Sequence, residues 1–403
     1  MDQTFRTAWN QAFTPALYAR YTKLLEAEVG PIPYRVAESP LFLPEDLRDD
    51  LFRVTRELLE QLAAPAAMAR AREAIPPDFD VPRCDDAPGC MTVDFAIVEG
   101  EQGRLEGRVV ELQAFPSLYG FTIKQAQVFD TLLRELPGIR RGFHCFDQKY
   151  DFDSAIALFR EAVLAGGDPE EVVLLEIEPD RQKTRTDFVA TRALLGIDAV
   201  CVTEVIKEGR RLCRTKDGRK VPIKRIYNRV VFDELLQKKP KMAFAFTDDL
   251  DVTWCCHPNW YWMWSKFSLP VLEHPWVPKS HLLSELKELP EDLSAYVLKP
   301  LFSFAGSGVK IDVTEADLRA IPPAERRHWL LQRKVTYARA LKTPEGIGVA
   351  AEVRILCLRA PRQRLPEPFM NLVRLSRGKM LGIDYNKGLD WVGSTVALWP
   401  KAE

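Results

Sequence analysis

Apolar residues recur at helical spacing along Leu47, Leu51, Val54, Leu58, Leu59 and Leu62 behind Pro44, which predicts a largely helical first stretch reaching about Ala74. The run Ile75-Pro76-Pro77-Asp78 ends it. A strand pair is expected next, Cys90 to Glu99 and Gly107 to Gln113, joined by a polar turn at Gly100 to Gly103. A helix from Ile123 to Leu136 then stops at Pro137-Gly138. From Phe152 the pattern alternates: helix Ser154 to Ala165, strand Val172 to Ile177, helix Thr186 to Leu195, strand Ala199 to Thr203. That alternation predicts a parallel sheet. A hairpin around Lys216-Asp217-Gly218-Arg219 interrupts it before Ile226, and β-rich segments dominate after Pro290, with loops at Thr343 to Gly348 and Ala360 to Pro368. There is no internal repeat and no low-complexity linker. The fold class expected is α/β and α+β. Its four parts are a helical region at 1–80, a hairpin and helix at 81–150, a parallel-sheet α/β unit at 151–285 and a β-rich unit at 286–403.

Composition narrows the function classes. A chain of 403 residues exceeds one core and predicts two or three closely packed domains. With 56 basic against 57 acidic residues the net charge is -1, so nucleic acid is not the expected partner. The N-terminus has no basic and apolar leader pattern, and no apolar run is long enough to span a membrane. The expectation is a soluble cytoplasmic protein with no membrane partner. Eight scattered cysteines read as reduced core thiols; neither Cys84 with Cys90 nor Cys255-Cys256-His257 has zinc-site spacing. His144, His274, His281 and His328 have no neighbouring nucleophile, which disfavours a histidine-driven hydrolase. The aromatic group Trp254 and Trp260-Tyr261-Trp262-Met263-Trp264 is expected in the core. The basic run from Gly209 to Lys216 alternates like an exposed hairpin strand, a solvated face that could also steer an acidic substrate.

Two features carry chemistry. Lys299 lies in Tyr296-Val297-Leu298-Lys299-Pro300-Leu301-Phe302, a strand pattern, followed at once by Ala305-Gly306-Ser307-Gly308. A lysine withdrawn from water needs an anion, and a glycine loop lets backbone N–H groups face one, so the pair points to phosphate. The alternative is a lysine snorkelling from an edge strand before an ordinary turn. The second feature is Asp94 on one strand of the hairpin with Glu111 and Gln113 on the other. Residues two apart share a face, so two carboxylates and an amide oxygen could meet a hard cation such as Mg²⁺. A solvated polar face is the alternative. Lys224, Arg225, Arg229 and Arg354 are candidate partners for a substrate carboxylate. Arg229, in Ile226-Tyr227-Asn228-Arg229-Val230-Val231, lies at an expected strand end, where open α/β sheets bind ligands; a salt bridge is its other use.

In order, Asp94-Phe95, Glu111-x-Gln113, Ser265-Lys266, Val297 to Phe302 with its glycine loop, and Leu330-Leu331-Gln332 resemble the synthetase domain of glutathionylspermidine synthase and its circularly permuted ATP-grasp relatives. The resemblance covers roughly residues 85 to 400 by scattered motifs, with no amidase domain preceding it. It implies ATP and Mg²⁺ as cofactors, with Asp94, Glu111 and Gln113 on the metal and Lys266 and Lys299 on phosphate oxygens. Gly306, Ser307 and Gly308 would close over the phosphates, Gln332 would lie in the strand that meets adenine, and Arg374 would face a phosphate. It further implies a ligase that activates a small-molecule or peptide carboxylate as an acyl phosphate for attack by an amine. Thr92 stands where the family has an arginine and Gln113 where it has asparagine. Those departures keep open a nucleotide-binding protein without turnover, serving regulation or assembly, and phosphotransfer to a hydroxyl is a third possibility. Near the C-terminus, Glu352-Val353-Arg354 and Asp384-Tyr385-Asn386 mimic the metal strands of the non-permuted order and form an alternative metal position. The oligomeric state is left open.

Overall fold

The structure is a computed structural model that describes residues 3–136, 139, 142–302, 308–378 and 383–400. Helices α1 (Gln3–Ala12) and α2 (Pro15–Val29) come first, the second opened by Pro15 and capped by the Thr14 side chain. After the short strand β1 (Leu41–Phe42), α3 (Glu45–Leu62) buries Leu47, Leu51, Val54, Leu58, Leu59 and Leu62, the stripe its spacing predicts, and α4 (Pro65–Arg72) follows. The strand pair is β2 (Cys90–Glu99) and β3 (Leu105–Gln113). Helix α5 (Tyr119–Glu135), strand β4 (Phe143–His144) and helix α6 (Phe152–Leu164), with an Asp151–Ser154 capping box, lead to β5 (Val172–Glu176), α7 (Arg185–Leu195) and β6 (Asp198–Cys201). A three-stranded hairpin sheet follows: β7 (Ile206–Glu208), β8 (Arg211–Lys216) and β9 (Arg219–Ile223). Next come β10 (Arg225–Asn228), α8 (Phe232–Lys238), β11 (Thr253–Trp254) and the aromatic turn of helix α9 (Trp260–Met263). The last third holds β12 (Ser280–Leu282), β13 (Tyr296–Pro300), β14 (Trp329–Arg333), β15 (Leu341–Lys342), β16 (Gly348–Leu358), β17 (Glu367–Ser376), β18 (Gly393–Thr395) and β19 (Ala397–Pro400).

Three sheets position the chemistry. The central one runs β18-β17-β16-β2-β3, antiparallel throughout, with β15 on β16. It joins the hairpin at 90–113 to strands that lie more than two hundred residues later in the chain. Its β2 is buried over nine of ten residues, which is why it reads as a nearly continuous apolar run. The second sheet, β11-β10-β5-β6, is parallel, as the alternation predicts. The third, β12-β14-β13, has an outer face that buries Leu298 and Leu331 with Leu283, Val313, Leu318 and Ile321. Alternation sends Lys299 and Gln332 the other way, toward the central sheet.

The aromatic residues Trp260, Tyr261, Trp262 and Trp264 are buried in the main core, as expected. The basic strand β8 is largely neutralised: Arg214 pairs with Asp198 at 2.8 Å and Lys216 with Glu170 and Asp198 at 3.3 Å. The expectation for the cysteines needs one correction. Cys90 is disulfide-bonded to Cys256, with Cα atoms 6.0 Å apart and 166 residues between them in sequence, a pairing that no local spacing announces. The other six are free. Among the described residues no helix is long and apolar enough to cross a membrane.

Candidate functional site

Antiparallel register sets Asp94 of β2 directly opposite Glu111 of β3 on one side and Arg354 of β16 on the other, while Arg374 of β17 stands opposite Glu352. Directly opposed residues share a face, so all five side chains rise from the same side of the central sheet. A bulge between Asp94 and Phe95 shifts the register there and leaves Val110 unpaired beside Glu111. Asp94, 1% exposed, accepts from Arg354 Nε and Nη2 at 2.6 Å each and from Arg374 Nη2 at 2.7 Å. Arg354 spends its remaining terminal nitrogen on Ser117 Oγ at 2.9 Å. Arg374 Nη2 also reaches Glu352, whose other oxygen accepts from the Tyr337 hydroxyl at 2.9 Å. Burial pushes the Glu352 carboxyl up despite Arg374. Burial would lower Arg374, but Glu352 and Asp94 outweigh it and raise the guanidinium above its usual range.

The small sheet closes over this face. Lys299 Nζ donates to the Val110 carbonyl at 2.8 Å and to Gln332 Oε1 at 2.7 Å. Both acceptors are neutral, and burial lowers the ammonium to about 8, with Glu111 pulling the other way. Lys266, in the turn after the tryptophan cluster and 6% exposed, donates to Glu111 Oε1 at 2.7 Å. Burial raises the Glu111 carboxyl, yet Lys266 first, then Lys299 and Arg354, overcome it and hold the group at about 2. Glu111, 27% exposed, shares a recess with Gln113, Phe115, Tyr261, Lys266 and Phe302. Four cations, Lys266, Lys299, Arg354 and Arg374, thus converge with three carboxylates, Asp94, Glu111 and Glu352. The excess positive charge suits an oxyanion, and preorganised N–H groups of this kind stabilise charge developing on a transferred group.

The sequence-derived residues thus fall into groups. Asp94, Glu111, Lys266, Lys299, Gln332, Arg354 and Arg374 come together, and Gln113 lines the recess beside them. Gly306 and Ser307 lie outside the described residues; Gly308 follows them at φ +74°, where a Cβ would also press on Pro300 at 3.0 Å. The side chain of Asp384 is likewise not described. Asn386 is taken up structurally, its Oδ1 accepting from Ser376 Oγ and the Arg377 backbone N–H at 3.0 Å. Arg229, 4% exposed, is a strut: it donates to the Pro116 carbonyl, packs over the rings of Phe115 and Phe188, and stands 3.9 Å from Asp187. It fixes the turn that carries Ser117, and so reaches Arg354 indirectly. Sequence reasoning missed Ser117 and Tyr337, which have no local signal, and treated Glu352 only as part of an alternative metal strand.

The donors fit a magnesium ion in part. Asp94 has both oxygens engaged by guanidinium groups, whereas Glu111 and Gln113 line the recess and a ligand's phosphates could complete their shell. Among the described residues no three His, Cys, Asp or Glu side chains are gathered as a metal site. A larger depression lined by Arg70, Pro270, His281 and Glu285 lies elsewhere, and its Arg70 and Glu285 already pair at 2.5 Å.

No protein-family profile matches the chain, and no curated protein matches its sequence. Among solved structures it is similar to a glutathione synthetase-like effector from Globodera pallida, in its apo form, at 14% identity and a TM-score of 0.57. The likeness covers 90% of this chain and 94% of that one. Identity that low speaks to the fold alone: a mixed α/β architecture related to that of a glutathione synthetase-like protein.

Proposed function

We propose that the protein is an ATP-dependent ligase of the ATP-grasp kind, in circularly permuted order, that joins a carboxylate to an amine through an acyl phosphate. One observation carries this reading: Lys266, Lys299, Arg354 and Arg374, from four separate segments, converge on one sheet face in a fold related to a glutathione synthetase-like protein. A carboxylate is a poor electrophile at neutral pH. Passing it the γ-phosphoryl of ATP creates a leaving group, and positioning plus charge dispersal suffice for such a transfer. Lys266 and Lys299 hold phosphate oxygens, Arg374 faces the phosphoryl in flight, and Gln332 orients Lys299. Glu111 and Gln113 would hold magnesium, which would supply neutralisation of the phosphate charge. The acid is a small molecule or peptide, and the amine attacks the acyl carbon and expels phosphate.

A second reading has its own support. Among the described residues Thr92 Oγ1 is buried without a hydrogen-bond partner, and Asp94 is saturated by arginine, so the chain could bind nucleotide without turnover. Thermal unfolding with and without Mg·ATP tests the shared premise, since a ligand of the folded state adds about 2.7 kcal/mol at a hundredfold excess over Kd. Stabilisation is expected, and its absence at millimolar ATP overturns both readings. ADP release that requires an acid and an amine together then separates the ligase from the binder.

A further inference from the structure

We propose that Asp94 is the shared counter-ion of a two-arginine phosphoryl site, formed by Arg354 and Arg374, that binds polyphosphate without a divalent ion. The inference rests on the nucleotide reading above and departs from it at Asp94, which the resemblance would make a metal ligand. Three N–H bonds of 2.6, 2.6 and 2.7 Å converge on the two Asp94 oxygens. A hydrated dication reaching that carboxylate has to displace all of them and then sit beside two guanidinium groups, which repel it. Glu111 differs: it accepts from Lys266 and faces the recess.

The arginines are placed for a ligand. Arg354 is bound at three nitrogens, to Asp94 twice and to Ser117 once, so its plane is fixed. Among the described residues Arg374 is held at one nitrogen only, shared between Asp94 and Glu352; its Nε is buried without a partner among them, and 33% of its side chain is exposed. Its Nη1 therefore remains for an incoming oxyanion, while Asp94 and Glu352 share its Nη2. Lys299 and Lys266 flank the same face for the next phosphate along the chain.

Inorganic tripolyphosphate, titrated by calorimetry in EDTA and again in magnesium chloride, tests this directly. The wild-type protein is expected to bind in both. Asp94→Asn unties both guanidinium groups and should weaken binding by roughly tenfold, the order of immobilising two flexible side chains again on binding and more than the removed negative charge returns, and by the same factor in the two buffers. Glu111→Gln should weaken only the magnesium arm. Arg354→Lys, which keeps the charge and loses the fork, should repeat the Asp94→Asn pattern and serves if that variant fails to fold. Wild-type binding that needs magnesium overturns the proposal, as does an Asp94→Asn loss confined to the magnesium arm. Equal affinity of wild type and Asp94→Asn in EDTA overturns it while leaving the nucleotide reading intact. No binding by the wild type in either buffer removes both.

Discussion

Arg354 with Asp94 on the antiparallel sheet and Arg229 with Asp187 beside the parallel sheet are both arginine–aspartate pairs withdrawn from water. In the first, two N–H groups of Arg354 meet the carboxylate at 2.6 Å, a second cation, Arg374, joins them, and neighbouring Glu111 borders a recess. In the second, the charges stand 3.9 Å apart, phenylalanine rings cover the guanidinium, and Asp187 accepts from the Phe121 backbone N–H at 3.0 Å. Asp187 thus caps the start of α5, where the chain's own preceding residue, Leu118, has φ 58° and no capping side chain. Burial is common to both pairs and does not mark function. The proposed site differs in its surplus of cations and in the recess beside Glu111.

Removing one partner of each pair should separate joint from site. Arg229→Met leaves Asp187 buried without its counter-charge and should cost about 3–5 kcal/mol in urea unfolding, while tripolyphosphate affinity of the folded fraction is unchanged. A loss of affinity matching that of the Arg354 variants would erase the distinction. Lys299→Met should show the reverse pattern, weakening nucleotide by about 2–3 kcal/mol with stability held or raised, since a buried ammonium is removed. Unchanged ATP affinity would move the phosphate position elsewhere.

Two buried groups sharpen the comparison through pH. Glu176, 3% exposed at the end of β5 near Arg229, is pushed up to about 8, chiefly by burial. The folded state keeps a proton that the unfolded chain releases near 4.3, so this group's contribution to stability falls as pH rises from there through 8. Glu176→Gln should then stabilise the protein by about 1 kcal/mol or more at pH 9 and leave it unchanged at pH 4, read from denaturant midpoints. An equal effect at both ends would show that the carboxyl is already ionised. Lys299, lowered to about 8, loses its charge on the same side of neutrality. Its buried charge opposes folding below pH 8, and that cost fades between 8 and about 10.4. Anion affinity should therefore decline above pH 8, a trend that Lys299→Met abolishes.

Element boundaries were legible wherever periodicity or punctuation was strong. Cys90 to Glu99 is a strand with the ends expected, and Asp217-Gly218 turns the β8–β9 hairpin. Helix α5 starts four residues before Ile123 because Asp187, far along the chain, supplies its cap. The polar faces were legible residue by residue, since Glu111 with Gln113 and Glu352 with Arg354 alternate visibly. Their pairing was not: Asp94 and Arg354 lie 260 residues apart, and only strand order puts them in register. Ser117, Tyr337 and the Cys90–Cys256 bond belong to the same class of long-range fact.

Strand β2 lies between β3, which follows it at once, and β16, which begins at Gly348. On a ribosome adding about 5–20 residues per second, that second neighbour trails by roughly 12–50 s. The hairpin can close early, yet its long apolar edge stays open until β16 is made, and Asp94 lacks both arginines until the chain has passed Arg374. Completion of the sheet and assembly of its charged face are therefore one late event, and a nascent chain interrupted before Gly348 carries an unsheltered strand edge with both arginines that meet Asp94 still missing.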